Sequence, residues 1–257
     1  MSDLEGRVAV VIGSRHGVGT AVARALAKES CRVLIAEADQ PSSTVEESPA
    51  DLPSGVERLR LSGTDPSSIR AAIGEAKAVC GRLDVLVQHH VTVYRGDALA
   101  VTADEWQRDL EVLTTYFLLS QAFAAEAEPH GSIVNIASID FAQAYPGRST
   151  ASAVANGLVG LSRALAVEWA TRPIRVNVVA PGVMLTDDDK SRIERGERSL
   201  DRVLLRAPSH RLGTADETAS VVVFLAGPKA DFITGQTLAV DGGWAALTQH
   251  AEGLRFP

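Results

Sequence analysis

Residues 7–19 read RVAVVIGSRHGVG, and this stretch decides the fold. Its first half, 7–12, is a short apolar run rich in β-branched residues, which predicts a strand buried on both faces. Gly13, Gly17 and Gly19 follow in the spacing G-x3-G-x-G. Beyond them Val18, Val22, Ala25 and Leu26 recur at helical spacing and predict a helix with one buried face. A strand, a glycine turn and a helix, in that order, bring the free N–H groups of a helix start to face a pyrophosphate. Gly13, Ser14, Arg15, Gly17, Val18 and Gly19 are therefore candidate cofactor-binding residues. Glu37 closes the next predicted strand, 32–36. A carboxylate there accepts from a ribose 2′-hydroxyl and repels a 2′-phosphate, so NAD(H) is favoured over NADP(H). Arg15 or His16 leaves NADP(H) open.

Outward from this unit the pattern repeats. Further strands are predicted over 56–61, 83–88, 132–137, 174–180 and 237–240. Asp65-Pro66 reads as an N-cap followed by proline at the first helical position, with Ile69, Ile73 and Ala76 turned inward. Thr102 with Glu105, and Thr214 with Glu217, read as capping boxes. The first opens a helix through Leu110, Leu113 and Phe117, the second one through Val221, Val222 and Leu225. A helix over 151–171 carries Leu158, Leu161 and Leu165 on one face. Residues 40–55 read as a polar surface loop, and 186–210, dense in both charges, as mobile helices or a lid within a substrate region at about 183–212. Strands alternating with helices along the whole chain predict a single α/β domain, a doubly wound parallel sheet with helices on both faces.

Composition narrows the function classes. A net charge of −7 disfavours nucleic-acid binding, which needs a basic surface. No apolar run is judged long enough to span a bilayer, and 1–13 lacks the basic-then-apolar layout of a secretory signal. The two cysteines, Cys31 and Cys80, form no metal or disulfide pattern and read as buried thiols of a cytoplasmic protein. Asp187, Asp188 and Asp189 read as a solvated lid face rather than a metal site, so no metal is expected.

Six motifs together resemble the short-chain dehydrogenase/reductase family: GSRHGVG at 13–19, GRLDVLV at 81–87, SIVNIAS at 132–138, GLVGLSRALAVEWA at 157–170, IRVNVVAPG at 174–182, and RLGTADETASVVVFLAG with FITGQTLAVDGG near the end. The resemblance implies one Rossmann-type domain with a seven-stranded parallel sheet and a small-molecule substrate. It implies a homotetramer or homodimer through helices at about 104–124 and 151–171. It adds Pro181, Gly182 and Thr186 to the cofactor site, Thr186 at the place that holds the nicotinamide carboxamide.

Family members carry a Tyr, a Lys four residues later, a Ser on the preceding strand end and an Asn in the preceding long helix. Ser138 matches the Ser. Ala151 stands at the Tyr place and Ala155 at the Lys place, and the Asn place falls at Val112 or Leu113. Alanine neither gives nor takes a proton, and loss of the Lys implies weaker, even vestigial, cofactor binding. Ser138, Tyr145, His89 and His90 are the remaining candidate catalytic residues. Tyr145 lies in the loop after Ser138, and an imidazole titrates near neutral pH. Two readings follow. One is a divergent biosynthetic enzyme, working by NAD(P)-linked oxidoreduction with an unusual proton source or by a non-redox dehydration, elimination or cyclisation. The other is an inactive family member serving as a dinucleotide-binding or structural partner.

Overall fold

The computed structural model describes residues 2–13, 17–36, 52, 54–90, 96–185, 193, 195, 200, 204 and 206–247. Seven strands form one parallel sheet: β1 (Val8–Ile12), β2 (Arg32–Ala36), β3 (Val56–Arg58), β4 (Val85–His89), β5 (Ser132–Ile136), β6 (Arg175–Pro181) and β7 (Thr237–Val240). Their order is β3-β2-β1-β4-β5-β6-β7. The chain winds one way from β1 to β3 and the other way from β4 to β7. The crevice beyond the ends of β1 and β4 is therefore the switch point where such sheets bind ligands.

Among the described residues five α-helices cover the sheet: α1 (Val18–Lys28), α2 (Pro66–Cys80), α3 (Ala103–Glu126), α4 (Ser149–Glu168) and α5 (Ala215–Ala226). One core cluster lies under α2, α3 and α4, with Ile73, Phe123 and Leu165 at its centre. The other lies under α1 and α5, with Val22, Leu26 and Val222. Local chemistry sets the helix starts. Asp65 accepts from the N–H groups of Ser67 and Ser68 at 2.9 and 3.1 Å. Both expected capping boxes form, at Thr102 with Glu105 and at Thr214 with Glu217.

Several expectations need correction. The strand predicted over 56–61 pairs only through Arg58. Helix α3 does run through Leu110, Leu113 and Phe117; Phe117 is 38% exposed, and the buried stripe is formed by Val112, Tyr116, Leu119 and Phe123. Helix α4 starts at Ser149 with Arg148 as its N-cap and no side-chain cap bond. By length and composition α4 is apolar enough to cross a membrane, against the sequence reading; half of it is buried inside the domain, as in a core helix. Cys31 is buried and Cys80 half-buried, both as free thiols.

A buried polar ladder ties the layers together. Gln88 on β4 donates to Ser120 on α3 at 2.8 Å and to Asn135 on β5 at 3.1 Å. Asn135 in turn donates to Ser162 on α4 at 2.9 Å. All four side chains are essentially without exposure, so each needs a partner inside the protein.

Candidate active site

Gly13 ends β1 with φ +93°, and a Cβ there would lie 1.8 Å from the carbonyl oxygen of His89. Only glycine lets the ends of β1 and β4 come this close. Gly17 is the N-cap of α1, without a side-chain cap bond, and the helix has no acidic residue in its first turn. No atom of the described residues lies within 4 Å of where a Cβ on Gly17 would sit. Among the described residues, the N–H groups of the first turn, from Val18 and Gly19 onward, thus start without a side-chain cap, an arrangement that suits a pyrophosphate. Ser14, Arg15, Glu37 and Thr186 lie outside the described residues. So does the acidic run 187–189; among the described residues no group of three or more His, Cys, Asp and Glu is arranged for a metal. Pro181 closes β6, and Gly182 lets the segment after β7 approach, since a Cβ there would be 2.8 Å from the Cα of Asp241.

Beyond β5, Ser138 caps a short 3-10 turn, Ile139–Phe141. Its hydroxyl donates to Oδ2 of Asp140 at 2.7 Å and accepts from the Asp140 N–H at 3.3 Å. Arg148 pairs with the same carboxylate oxygen. Asp140 is 3% exposed. Nε of Arg148 and Oγ1 of Thr150 are buried without a hydrogen-bond partner among the described residues. Ala151 and Ala155 are both buried on α4. Leu113 packs onto Gly157, where a Cβ would be 2.7 Å from its Cδ1. Val112 and Leu113 thus join α3 to α4.

Tyr145 is engaged elsewhere in the same loop. Its phenol donates to Oε1 of Gln143 at 3.0 Å and accepts from the indole N–H of Trp244. Arg206 donates to the same Oε1 at 2.8 Å, and its guanidinium lies 4.9 Å from the Tyr145 ring centre and 5.3 Å from that of Trp244. Tyr145 therefore fastens the loop after β5 to segments near positions 206 and 244. A recess of about 50 Å³ beside this cluster is lined by Met184, Ala207, Leu212 and Trp244.

His89 and His90 stand at the end of β4, at the switch point. The His90 N–H donates to the Tyr116 hydroxyl at 3.0 Å, which donates to the carbonyl of Ile136 at 2.7 Å. The two rings meet edge to face, 4.8 Å apart. Nε2 of His90 is buried and has no hydrogen-bond partner among the described residues. Burial, then the neighbouring His89, pushes the His90 pKa down to about 3. His90 is thus a neutral ring at pH 7 and holds no proton to give as imidazolium. Burial also pushes the Tyr116 phenol up, so it stays protonated.

The sequence reading missed Asp140, Gln143, Arg206 and Trp244. Asp140 had a local signal, a Ser-x-Asp turn after a strand. Arg206 reaches Gln143 across 63 positions of chain and Trp244 reaches Tyr145 across 99, and no local pattern announces either contact.

The chain matches the family model described as enoyl-(acyl carrier protein) reductase over residues 12–245. It is 34% identical over 245 residues to the 3-oxoacyl-acyl-carrier-protein reductase FabG of Escherichia coli, covering 94% of this chain and 98% of that protein. It is 34% identical over 251 residues to the 2-dehydro-3-deoxy-D-gluconate 5-dehydrogenase of the same organism, covering 95% and 97%. Among solved structures, a short-chain dehydrogenase/reductase from Serratia marcescens superposes with a TM-score of 0.82 at 28% identity, covering 95% and 99%. A provisional 2-deoxy-D-gluconate 3-dehydrogenase from Agrobacterium tumefaciens, with bound NADP, gives 0.78 at 30% identity, covering 95% and 98%. These names overturn the expectation of a divergent enzyme with an unusual proton source or a non-redox reaction, and that of an inactive partner. The relatives are named as reductases and dehydrogenases, and the chain belongs to the short-chain dehydrogenase/reductase family.

Proposed function

We propose that this protein is an NAD(P)-linked oxidoreductase that interconverts an alcohol and its carbonyl on a small oxygenated substrate. The observation that carries the reading is the glycine turn at the switch point, where Gly13 fits beneath His89 and α1 starts at Gly17 without a side-chain cap. Bound there, the dinucleotide accepts or supplies a hydride. The relatives' names supply the substrate classes to try first, 3-oxoacyl thioesters and hydroxylated sugar acids. Glu37 supports NAD(H) over NADP(H), whereas the Agrobacterium tumefaciens neighbour carries NADP, so both cofactors belong in the assay. Two free thiols support a reducing, cytoplasmic setting. Exposed Trp106, Phe117 and Val167 on α3 and α4 support a homodimer or homotetramer.

Within this activity Ser138 is the group offered to the substrate oxygen. The ungapped motifs on either side place Ala151 and Ala155 where family members carry the Tyr and Lys. Buried on α4, they make that wall of the pocket apolar and leave no ammonium to hold the nicotinamide ribose. The test is absorbance at the nicotinamide band with NAD+, NADP+ and their reduced forms, across both substrate classes. Turnover with one of the pairs is expected, and absence of turnover with all of them overturns the reading. Ala151→Tyr combined with Ala155→Lys is expected to raise kcat by ~10²-fold or more, the usual worth of general acid–base help. An unchanged kcat in the double variant would place the two alanines away from the reacting atoms.

A further inference from the structure

We propose that Asp140, held by Arg148, fixes Ser138 as a hydrogen-bond acceptor, so that the site recognises the hydroxyl form of its substrate in preference to the carbonyl form. The inference rests on the oxidoreductase reading and adds to it the functional group that is bound. Asp140 is here a positioning residue, acting through Ser138.

The argument is a count of hydrogen-bonding capacity. A serine hydroxyl has one proton to donate and two lone pairs. The Ser138 proton is committed to Oδ2 of Asp140 at 2.7 Å, because an ionised carboxylate only accepts. One lone pair is engaged by the Asp140 N–H at 3.3 Å. Among the described residues nothing else engages the hydroxyl, so one lone pair remains, and the half-buried side chain leaves it reachable. The committed bond is the strong one of the set. A hydroxyl bound to a carboxylate is held about twice as firmly as one bound to a neutral oxygen, so a ketone competes poorly for that proton.

The carboxylate is itself fixed. Arg148 pairs with the same Oδ2, and the side chain is almost wholly enclosed, so it cannot turn away to water. Asn156 on α4 reaches the carbonyl of Asp140 at 3.5 Å and braces the turn against the helix. Ala151 and Ala155, on the same helix, add no donor. A substrate alcohol donates its O–H into the remaining lone pair. A ketone brings only lone pairs of its own and meets like with like.

The test measures binding of matched hydroxy and oxo probes to the full-length protein without turnover, by ligand-observed NMR titration. The probes are 3-hydroxybutyryl and 3-oxobutyryl N-acetylcysteamine thioesters, and 2-deoxy-D-gluconate with its 3-oxo form. For at least one pair the hydroxy probe is expected to bind about tenfold tighter, the worth of one hydrogen bond to a well-placed acceptor. Asp140→Asn, a neutral and weaker acceptor of the same shape, is expected to lower that ratio. Asp140→Leu with Arg148→Met removes the acceptor without leaving a buried charge, and should bring the ratio to one or below. Ser138→Ala should also abolish the preference.

A merely structural Asp140 would weaken both members of a pair equally and leave the ratio unchanged, which overturns the proposal. So does a wild-type protein that binds neither probe, or binds the oxo form as tightly. The oxidoreductase reading fails separately, when a hydroxy preference is measured but no nicotinamide absorbance change accompanies either probe with either cofactor.

Discussion

His90 shows how position changes a residue's chemistry. At sequence level an imidazole near a strand end suits proton transfer at neutral pH. In the fold its Nε2 is enclosed with no partner among the described residues, and burial lowers its pKa to about 3. The unfolded chain titrates near ~6.5. Between those values the unfolded state binds the extra proton, so acidification favours unfolding. The stability contributed by the neutral ring is complete above about 6.5 and is lost as pH falls towards 3. His90→Phe keeps the edge-to-face contact with Tyr116 and has no proton to bind. The wild-type protein is therefore expected to lose about 1–2 kcal/mol more than the variant between pH 7.5 and pH 5. Paired denaturant titrations at the two pH values measure the difference, and equal losses would contradict the buried neutral ring. Gly13 and Ser138 were legible from the sequence because their meaning is local: a glycine after a strand, a serine ending one. Gln143, Arg206 and Trp244 were not. Each acquires its role from Tyr145, and Trp244 reaches that phenol across 99 positions of chain.

At the scale of elements, hydrophobic period and capping chemistry made the strands and helices legible, with the ends least so. Pairing ran past the expected end in β6, which takes in Pro181, and stopped short in β3. Spacing alone does not give the phase of α3, in which Tyr116 and Leu119 are buried and Phe117 is 38% exposed. What period cannot reveal is a buried polar side chain inside an apolar strand. Asn135 sits in the middle of β5 with no exposure, accepting from Gln88 and donating to Ser162. It joins β4, β5 and α4 by two bonds whose partners are equally enclosed. Asn135→Ala leaves the Ser162 hydroxyl without its donor and removes one of the acceptors of Gln88 Nε2. A loss of about 2–3 kcal/mol is expected, with Ser162→Ala costing about 1 kcal/mol. Urea unfolding should show the shift in midpoint at constant slope. A loss under half a kilocalorie for Asn135→Ala would mean that water takes over both bonds and that the ladder does not tie the layers.

At the scale of the whole molecule the sheet leaves α3 and α4 side by side on one face, packed together through Leu113 and Gly157. Their outer sides carry apolar surface that the domain itself does not use. Trp106 is 41% exposed, Phe117 38% and Val167 80%. Trp106 and Phe117 are eleven residues apart, about three turns, and so share one stripe of α3. Single exposed apolar residues are ordinary, but two aromatics on one stripe beside an apolar neighbour helix mark a surface that gains from being covered. A second copy of the chain would cover it by symmetry, the same stripe meeting itself about a two-fold axis. Such self-association would also bear on the site. The C-terminal half of α3 holds Tyr116 against His90, and the first turns of α4 brace the turn that carries Asp140. A subunit whose α3 and α4 are clamped has less freedom at both places. Light scattering is expected to give a mass of two or four chains, and Trp106→Glu with Phe117→Glu to shift it towards one. The separated subunits should keep their fold, since both side chains are half-exposed, and should bind NAD(P)H more weakly if clamping orders the site. A wild-type mass of one chain, or a double variant of unchanged mass, would remove α3 from any interface.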